Sequence, residues 1–291
     1  MTQNAFAGAH TVEKLDKLEK YLVAYSNVFK HQELKTIFFD AFAGTGEIPS
    51  ARDEASLPLD SDDQDFVVGS AQRALGPKTS FNEYVFVEKN RNKAKELEAL
   101  KLRFPQKRIS TIADDANTAL KSFCASTNWK KCRAVVFLDP FGNQVDWTTI
   151  EALAATKAVD LWYLFPAGLG VHRQIGRDAT FDSDKEKSLT RIFGTNLWID
   201  ACIEEDHSIL DLFDNAPVRK LKVATPDSIT KFMISRMKDV FKGGVLDDYL
   251  RLGSRNHHSF SLLFAWANPS ASAKKAGKIA QAVMRSGKSG R

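Results

Sequence analysis

"FFDAFAGTGEIP", Phe38 to Pro49, decides how the rest of the chain is read. An apolar run ends in an acid, Asp40, and a turn of small residues follows at once: Ala43, Gly44, Thr45 and Gly46. A buried strand that delivers its backbone to a ligand has this form. The small residues put no side chain between backbone and ligand, and glycine accepts the positive φ that such a turn demands. A dinucleotide would call for G-x-G-x-x-G, with its pyrophosphate on a helix N-terminus. Here Pro49 stands where the third glycine belongs, and the residues beyond it are acidic. That composition suits a cationic or zwitterionic ligand better than a phosphate.

Working outward, residues 36–42 (TIFFDAF) form the first of five expected strands. An amphipathic helix from about Val12 to Lys30 precedes it, with Leu15, Leu18, Leu22 and Tyr25 at helical spacing. Residues 83–89 (EYVFVEK), 108–116 (RISTIADDA), 133–142 (RAVVFLDPFG) and 159–168 (VDLWYLFPAG) follow, and helical segments separate them. Near-continuous apolar strands covered by helices predict a parallel sheet. Residues 247–253 and 257–269 predict a closing antiparallel pair.

The strand ends carry the regular feature. The first stops at Asp40, the second at Glu88, the third at Asp114 and Asp115, and the fourth at Asp139. Ligands of an open parallel sheet sit beyond the carboxyl ends of its strands. S-adenosylmethionine, a sulfonium with an amino-acid moiety and no phosphate, is therefore the expected cofactor. Its methionine end falls to Asp40, Phe42, Ala43, Gly44, Thr45 and Gly46. Its ribose falls to Glu88 beside Lys89, and its adenine to Asp114, Asp115, Ala116 and Asn117. For Asp114 and Asn117, capping of the helix that follows is an equal reading. Glu88 lies 42 positions after Gly46, about twice the usual gap. The acidic stretch 47–66 accounts for the excess and reads as a long functional loop.

The chain has 291 residues, 43% hydrophobic and 26% charged, which suits one large folded α/β domain. The expected organisation is an N-terminal helical segment (1–35) packed on a core domain (36–269), with insertions at 47–66 (acidic) and 172–240 (helical). A basic helix or tail (270–291) follows. No apolar run reaches the roughly 18 residues of a membrane helix, so no membrane partner is expected. The first residues do not read as a signal peptide. Cys124, Cys132 and Cys202 are odd in number and widely spaced, without disulfide or zinc spacing. Reduced thiols in a cytoplasmic protein, with no bound metal, are the expectation. Residues 216–291 carry 15 Lys and Arg against 4 Asp and Glu, leaving the remainder acidic despite a net charge of +5. A basic face of that kind points to a polyanion such as nucleic acid. His257 and His258 read as surface histidines.

The order of strand ends resembles the class I S-adenosylmethionine-dependent methyltransferases. A closer resemblance rests on residues 10–25 (HTVEKLDKLEKYLVAY), 40–46 (DAFAGTG), 69–75 (GSAQRAL), 136–168 (VFLDPFGNQVDWTTIEALAATKAVDLWYLFPAG) and 264–269 (FAWANP). Together they look like the bacterial three-Cys-motif partner proteins, over most of the chain. The resemblance implies a Rossmann-like α/β fold: a mainly parallel seven-stranded sheet with an antiparallel last strand and helices on both faces. It also implies a partner, a radical S-adenosylmethionine protein that carries the three cysteines itself.

Asp139-Pro140-Phe141-Gly142 is the expected catalytic quartet. It resembles both the Asp/Asn-Pro-Pro-aromatic motif of nucleic-acid amino methyltransferases and the D-P-F-G of tRNA guanine-N2 dimethyltransferases. The chemical logic is that a carboxylate and a carbonyl accept the two hydrogens of an exocyclic amine while an aromatic ring stacks on its base. A strand-ending turn is the plain alternative. Trp147, Trp162 and Phe165 read by default as core. The expected function is N-methylation of an exocyclic amine in a nucleic acid. The rival is a non-catalytic methyltransferase-like partner of the radical protein, in a defence or mobile-element system.

Overall fold

A computed structural model describes residues 4–44, 70–176, 179, 181–206, 219–253 and 257–286. Thr45, Gly46 and the acidic stretch 47–66 lie outside the described residues. The chain opens with α1 (Asn4–Phe29) and β1 (Lys35–Asp40), and α2 covers 70–75. Next come β2 (Glu83–Val87), α3 (Arg91–Leu97), α4 (Ala99–Arg103), β3 (Ile109–Ile112), α5 (Ala116–Ser126), β4 (Cys132–Leu138), α6 (Trp147–Ala155) and β5 (Val159–Phe165). A π-helical turn at Ala167–His172 leads to α7 (Ser183–Phe193), α8 (Trp198–Cys202) and a small antiparallel ladder of β6 (Ile203–Asp206) and β7 (Arg219–Lys222). The chain then runs through α9 (Pro226–Val240), β8 (Gly244–Val245), β9 (Leu250–Leu252), β10 (Phe260–Trp266) and α10 (Lys274–Arg285).

The main sheet has the order β3-β2-β1-β4-β5-β10-β8. Strands β1 to β5 are mutually parallel, and β10 runs antiparallel to β5. The short β8 and β9 pair with opposite halves of β10, so two strands share the seventh position along one edge. This is the Rossmann-like arrangement with a reversed strand. The chain runs from β1 outward to β3 and then returns to β4 on the other side of β1. The β1/β4 boundary is therefore the topological switch point, where ligands of such sheets lie.

Alternation along each strand divides the core in two. Phe39, Val136 and Leu161 face the side covered by α5, α6 and α9, where Ile229, Met233 and Met237 of α9 are buried. Phe38, Phe137, Trp162 and Phe264 face α1, α2 and α10. Helix α1 belongs to that second layer, because Leu15, Leu18, Tyr21, Leu22 and Tyr25 are all at most 5% exposed. Tyr21 also donates its hydroxyl to Asp160 Oδ2 at 2.7 Å, near the amino end of β5. Among the described residues no helix is long and apolar enough to cross a membrane.

Candidate functional site

Beyond the carboxyl ends of β1 to β4 lies a cleft of about 450 Å³. Phe42, Glu88, Lys89, Asp114, Asp115, Ala116, Asn117 and Phe141 line it, together with Ala41, Val87, Asn143, Gln144, Asp146 and Arg191. Eight of the residues expected from sequence thus meet in one cavity, drawn from four strand ends. The remaining described ones, Asp40, Ala43, Gly44, Asp139, Pro140 and Gly142, adjoin the cleft without lining it.

Asp40 is fully buried. Its Oδ1 accepts from the Phe42 N–H at 3.1 Å and its Oδ2 from the Ser70 hydroxyl at 2.7 Å. Burial pushes its carboxyl up to about 6, against the pull of those two bonds and with a small push from Glu88. Asp40 thereby braces the turn against α2. The Ala43 N–H bonds to the Val87 carbonyl at 2.8 Å, which ties the same turn to β2. Gly44 has φ 58°, a left-handed backbone that favours glycine.

Glu88 is half-buried, and its Oε1 accepts from the Asn90 N–H at 2.7 Å. Lys89 is exposed and lies 3.6 Å from Asp115 Oδ2. Asp115 caps α5, with Oδ1 accepting from the N–H groups of Asn117 (3.0 Å) and Thr118 (3.4 Å). Partial burial raises its carboxyl, but those N–H groups and Lys89 outweigh it and hold the group below its ordinary value. Asp114 Oδ1 accepts from the Asp115 N–H at 2.7 Å. The Asn117 side chain bonds to Gln144 and Asp146 in the loop between β4 and α6 and to Thr149 in the first turn of α6.

That loop carries the quartet. Asp139 is 7% exposed, and Lys14 of α1 places its Nζ 4.0 Å from Asp139 Oδ1. The Pro140 carbonyl already accepts from the Gly142 N–H at 2.9 Å, leaving its second lone pair. Gly142 has φ 94°, so this bend also favours glycine. Phe141 is 48% exposed, a large aromatic held open at the cleft, while its N–H bonds to Gln144 Oε1 at 3.0 Å. Arg191 of α7 grips the loop from outside through the Asp146 carboxylate and, at 2.7 Å, the Asn143 carbonyl. The side-chain amide of Asn143 is buried, and neither of its polar atoms has a partner among the described residues.

Lys14, Asn143, Gln144 and Arg191 were not foreseen from sequence. Lys14 and Arg191 come from helices remote in the chain, and no local pattern points to either. Trp147, Trp162 and Phe165 are buried in the core. His258 departs from the surface expectation. Its Nε2 lies 2.8 Å from Ser261 Oγ and its Nδ1 3.5 Å from Asp227 Oδ1, because the hairpin folds it against α9. Burial lowers its imidazole below the ordinary range. Among the described residues no three His, Cys, Asp or Glu side chains converge as a metal site requires.

No family model and no curated protein matches the chain. Several solved structures are similar to it. Trm1 from Pyrococcus horikoshii, determined with S-adenosyl-L-methionine, has 13% identity and a TM-score of 0.47, covering 92% of this chain. The chain spans 58% of the length of that protein. A Legionella pneumophila protein has 13% identity and a TM-score of 0.49, with 96% of this chain and 92% of that one covered. A S-adenosylmethionine-dependent methyltransferase from Clostridium acetobutylicum has 11% identity and a TM-score of 0.38, with 85% and 91% covered.

Proposed function

We propose that this chain is a S-adenosylmethionine-dependent methyltransferase that acts on an exocyclic amine of a nucleic acid. One observation carries the reading: the cleft joins Glu88, Asp115 and Phe141, from three separate strand ends, at the switch point of the sheet. The donor set fits the cofactor. Glu88, Asp114, Asp115 and Asp146 outnumber Lys89 and Arg191 around the cleft, which favours a cationic ligand and disfavours a pyrophosphate. Bound there, S-adenosylmethionine would supply an electrophilic methyl group for direct transfer to nitrogen.

The chain's own groups have defined tasks in this reading. Glu88 accepts hydrogen bonds from ribose hydroxyls. Asp115, kept ionised by the α5 N-terminus, accepts from the adenine amino group. Phe141 stacks on the acceptor base, which is unpaired or flipped out. Asp139 and the free lone pair of the Pro140 carbonyl accept the amine hydrogens and hold its nitrogen in line. Positioning of this kind lowers the barrier because the reactants no longer have to find their geometry.

A second reading has a specific observation behind it. Asp139 is buried beside Lys14 and does not line the cleft, which would suit a methyltransferase-like partner of a radical S-adenosylmethionine protein that binds cofactor without transferring methyl. Labelled S-adenosylmethionine, offered with tRNA, rRNA, DNA and protein, separates the two. Label entering a nucleic acid is the expected result. Cofactor binding without label in any acceptor would instead favour the partner reading.

A further inference from the structure

We infer that Asn117, at the wall of the cleft, couples the cofactor half to the acceptor half as a positioning residue that acts through the loop bearing Phe141. The inference rests on the methyltransferase reading above. Asn117 Nδ2 donates to the Gln144 carbonyl at 2.8 Å. Its Oδ1 accepts from the Asp146 N–H at 2.9 Å and from the Thr149 hydroxyl at 2.8 Å. All three partners lie in or just after the loop that bears Phe141. The geometry also fixes the amide's orientation, since a carbonyl can only accept and an N–H can only donate.

The other end of the link is backbone. Asp115 Oδ1 holds the Asn117 N–H at 3.0 Å, so the residue that would take the adenine is one hydrogen bond from the brace. Gln144 continues the chain of contacts, because its Oε1 accepts from the Phe141 N–H. The path runs Asp115, Asn117, Gln144, Phe141 with direct bonds throughout. A ligand that steadies the α5 N-terminus therefore steadies the ring expected to meet the acceptor, and cofactor binding prepares acceptor binding. Arg191 supports the same loop from α7, through the Asp146 carboxylate and the Asn143 carbonyl, and so loosens it by a different route when removed.

Hydrogen exchange of the full chain, with and without saturating S-adenosylhomocysteine, tests this without knowledge of the acceptor. In the wild type the ligand should slow exchange in residues 112–120 and also in 139–149. Asn117→Ala should keep the first response and lose the second, with loop exchange on the order of tenfold faster even without ligand. Arg191→Ala should also loosen the loop but retain its ligand-linked slowing, which a merely structural role for Asn117 would not distinguish. Thr149→Val removes one partner only and should give an intermediate response if Asn117→Ala does not fold. Slowing of 139–149 that persists in Asn117→Ala overturns the inference, as does a wild-type loop that ignores ligand while α5 responds. If neither segment responds and calorimetry finds no binding, the cofactor reading fails and the coupling fails with it.

Discussion

Glu88 has one carboxylate oxygen engaged by the Asn90 N–H, which fixes the side chain and leaves the other oxygen for a ligand. Glu88→Ala should weaken S-adenosylhomocysteine binding by about 1–3 kcal/mol. Calorimetry that found equal affinity would remove Glu88 from the site. Asp139 and Phe141 should fail in different ways. Asp139→Ala should slow single-turnover transfer more than Asp139→Asn, which keeps an acceptor oxygen, and neither should change cofactor affinity much. Phe141→Ala should lose stacking worth about 1–3 kcal/mol and show its defect in acceptor binding. Wild-type transfer by Asp139→Ala would reduce the quartet to a turn.

At the scale of elements, α1 is fastened to the sheet by a buried polar contact as well as by apolar packing. Burial pushes the Asp160 carboxyl up to about 7, against the Tyr21 hydrogen bond and the charge of Arg133. A carboxyl raised in the folded state stabilises fully below its unfolded value, and that contribution is lost as pH rises through the folded one. Asp40, raised to about 6, acts in the same direction. Denaturation should therefore show a fall in stability between pH 5 and 8, of which Asp160 contributes on the order of 2–3 kcal/mol. Asp160→Asn should flatten that part of the slope. An unchanged slope would mean that Asp160 is ionised at no cost in the fold.

The same scale shows what the sequence made legible. Strands β1 to β5 announce themselves because apolar runs and strand-ending acids are local patterns. Glu88 and Asp115 reach the cleft for that reason. Asn117 was ambiguous because a cap and a ligand share one local signature, and its bonds to Gln144 and Asp146 depend on how α5 meets α6. Lys14 reaches Asp139 only after α1 docks, a long-range event with no periodicity to betray it. The two-residue β8 is too short for alternation to show, although its neighbour β9 was foreseen as part of the closing pair.

For the whole molecule, the reversed strand decides where the basic charge goes. Because β10 runs against β5, Trp266 lies beside Asp160 near the amino end of β5. Helix α10 starts shortly after, so the exposed Lys274, Lys275 and Lys278 begin at the end of the sheet opposite the cleft. Arg285, at the other end of that helix, is paired with Asp248 at 2.7 Å. Any phosphate contact by the three lysines is remote from the reacting groups. Replacing all three with Ala should lower the slope of log affinity against log salt by up to about 3 and leave cofactor affinity intact. An unaltered slope would show that this charge is irrelevant to the acceptor.

Lys17 of α1 is 3% exposed and donates to the Met284 carbonyl at the end of α10, 267 positions later. Tyr21 likewise packs on Phe264 of β10, at 5.0 Å between ring centres. Nearly the whole chain thus has to be made before the seat of α1 is complete. At roughly 5–20 residues per second, α1 leaves the ribosome on the order of tens of seconds ahead of these partners. During that interval α1 has only its early partners, Phe81 stacked on Tyr25 and Arg73 paired with Asp16 and Glu19, while its cover from β10 and α10 is still to come. Its seat is complete only once β10 and α10 are in place, and the docked helix is also what brings Lys14 to Asp139. Nascent chains halted before β10 should remain open to proteolysis within residues 4–29, and those extended past Ser286 should close.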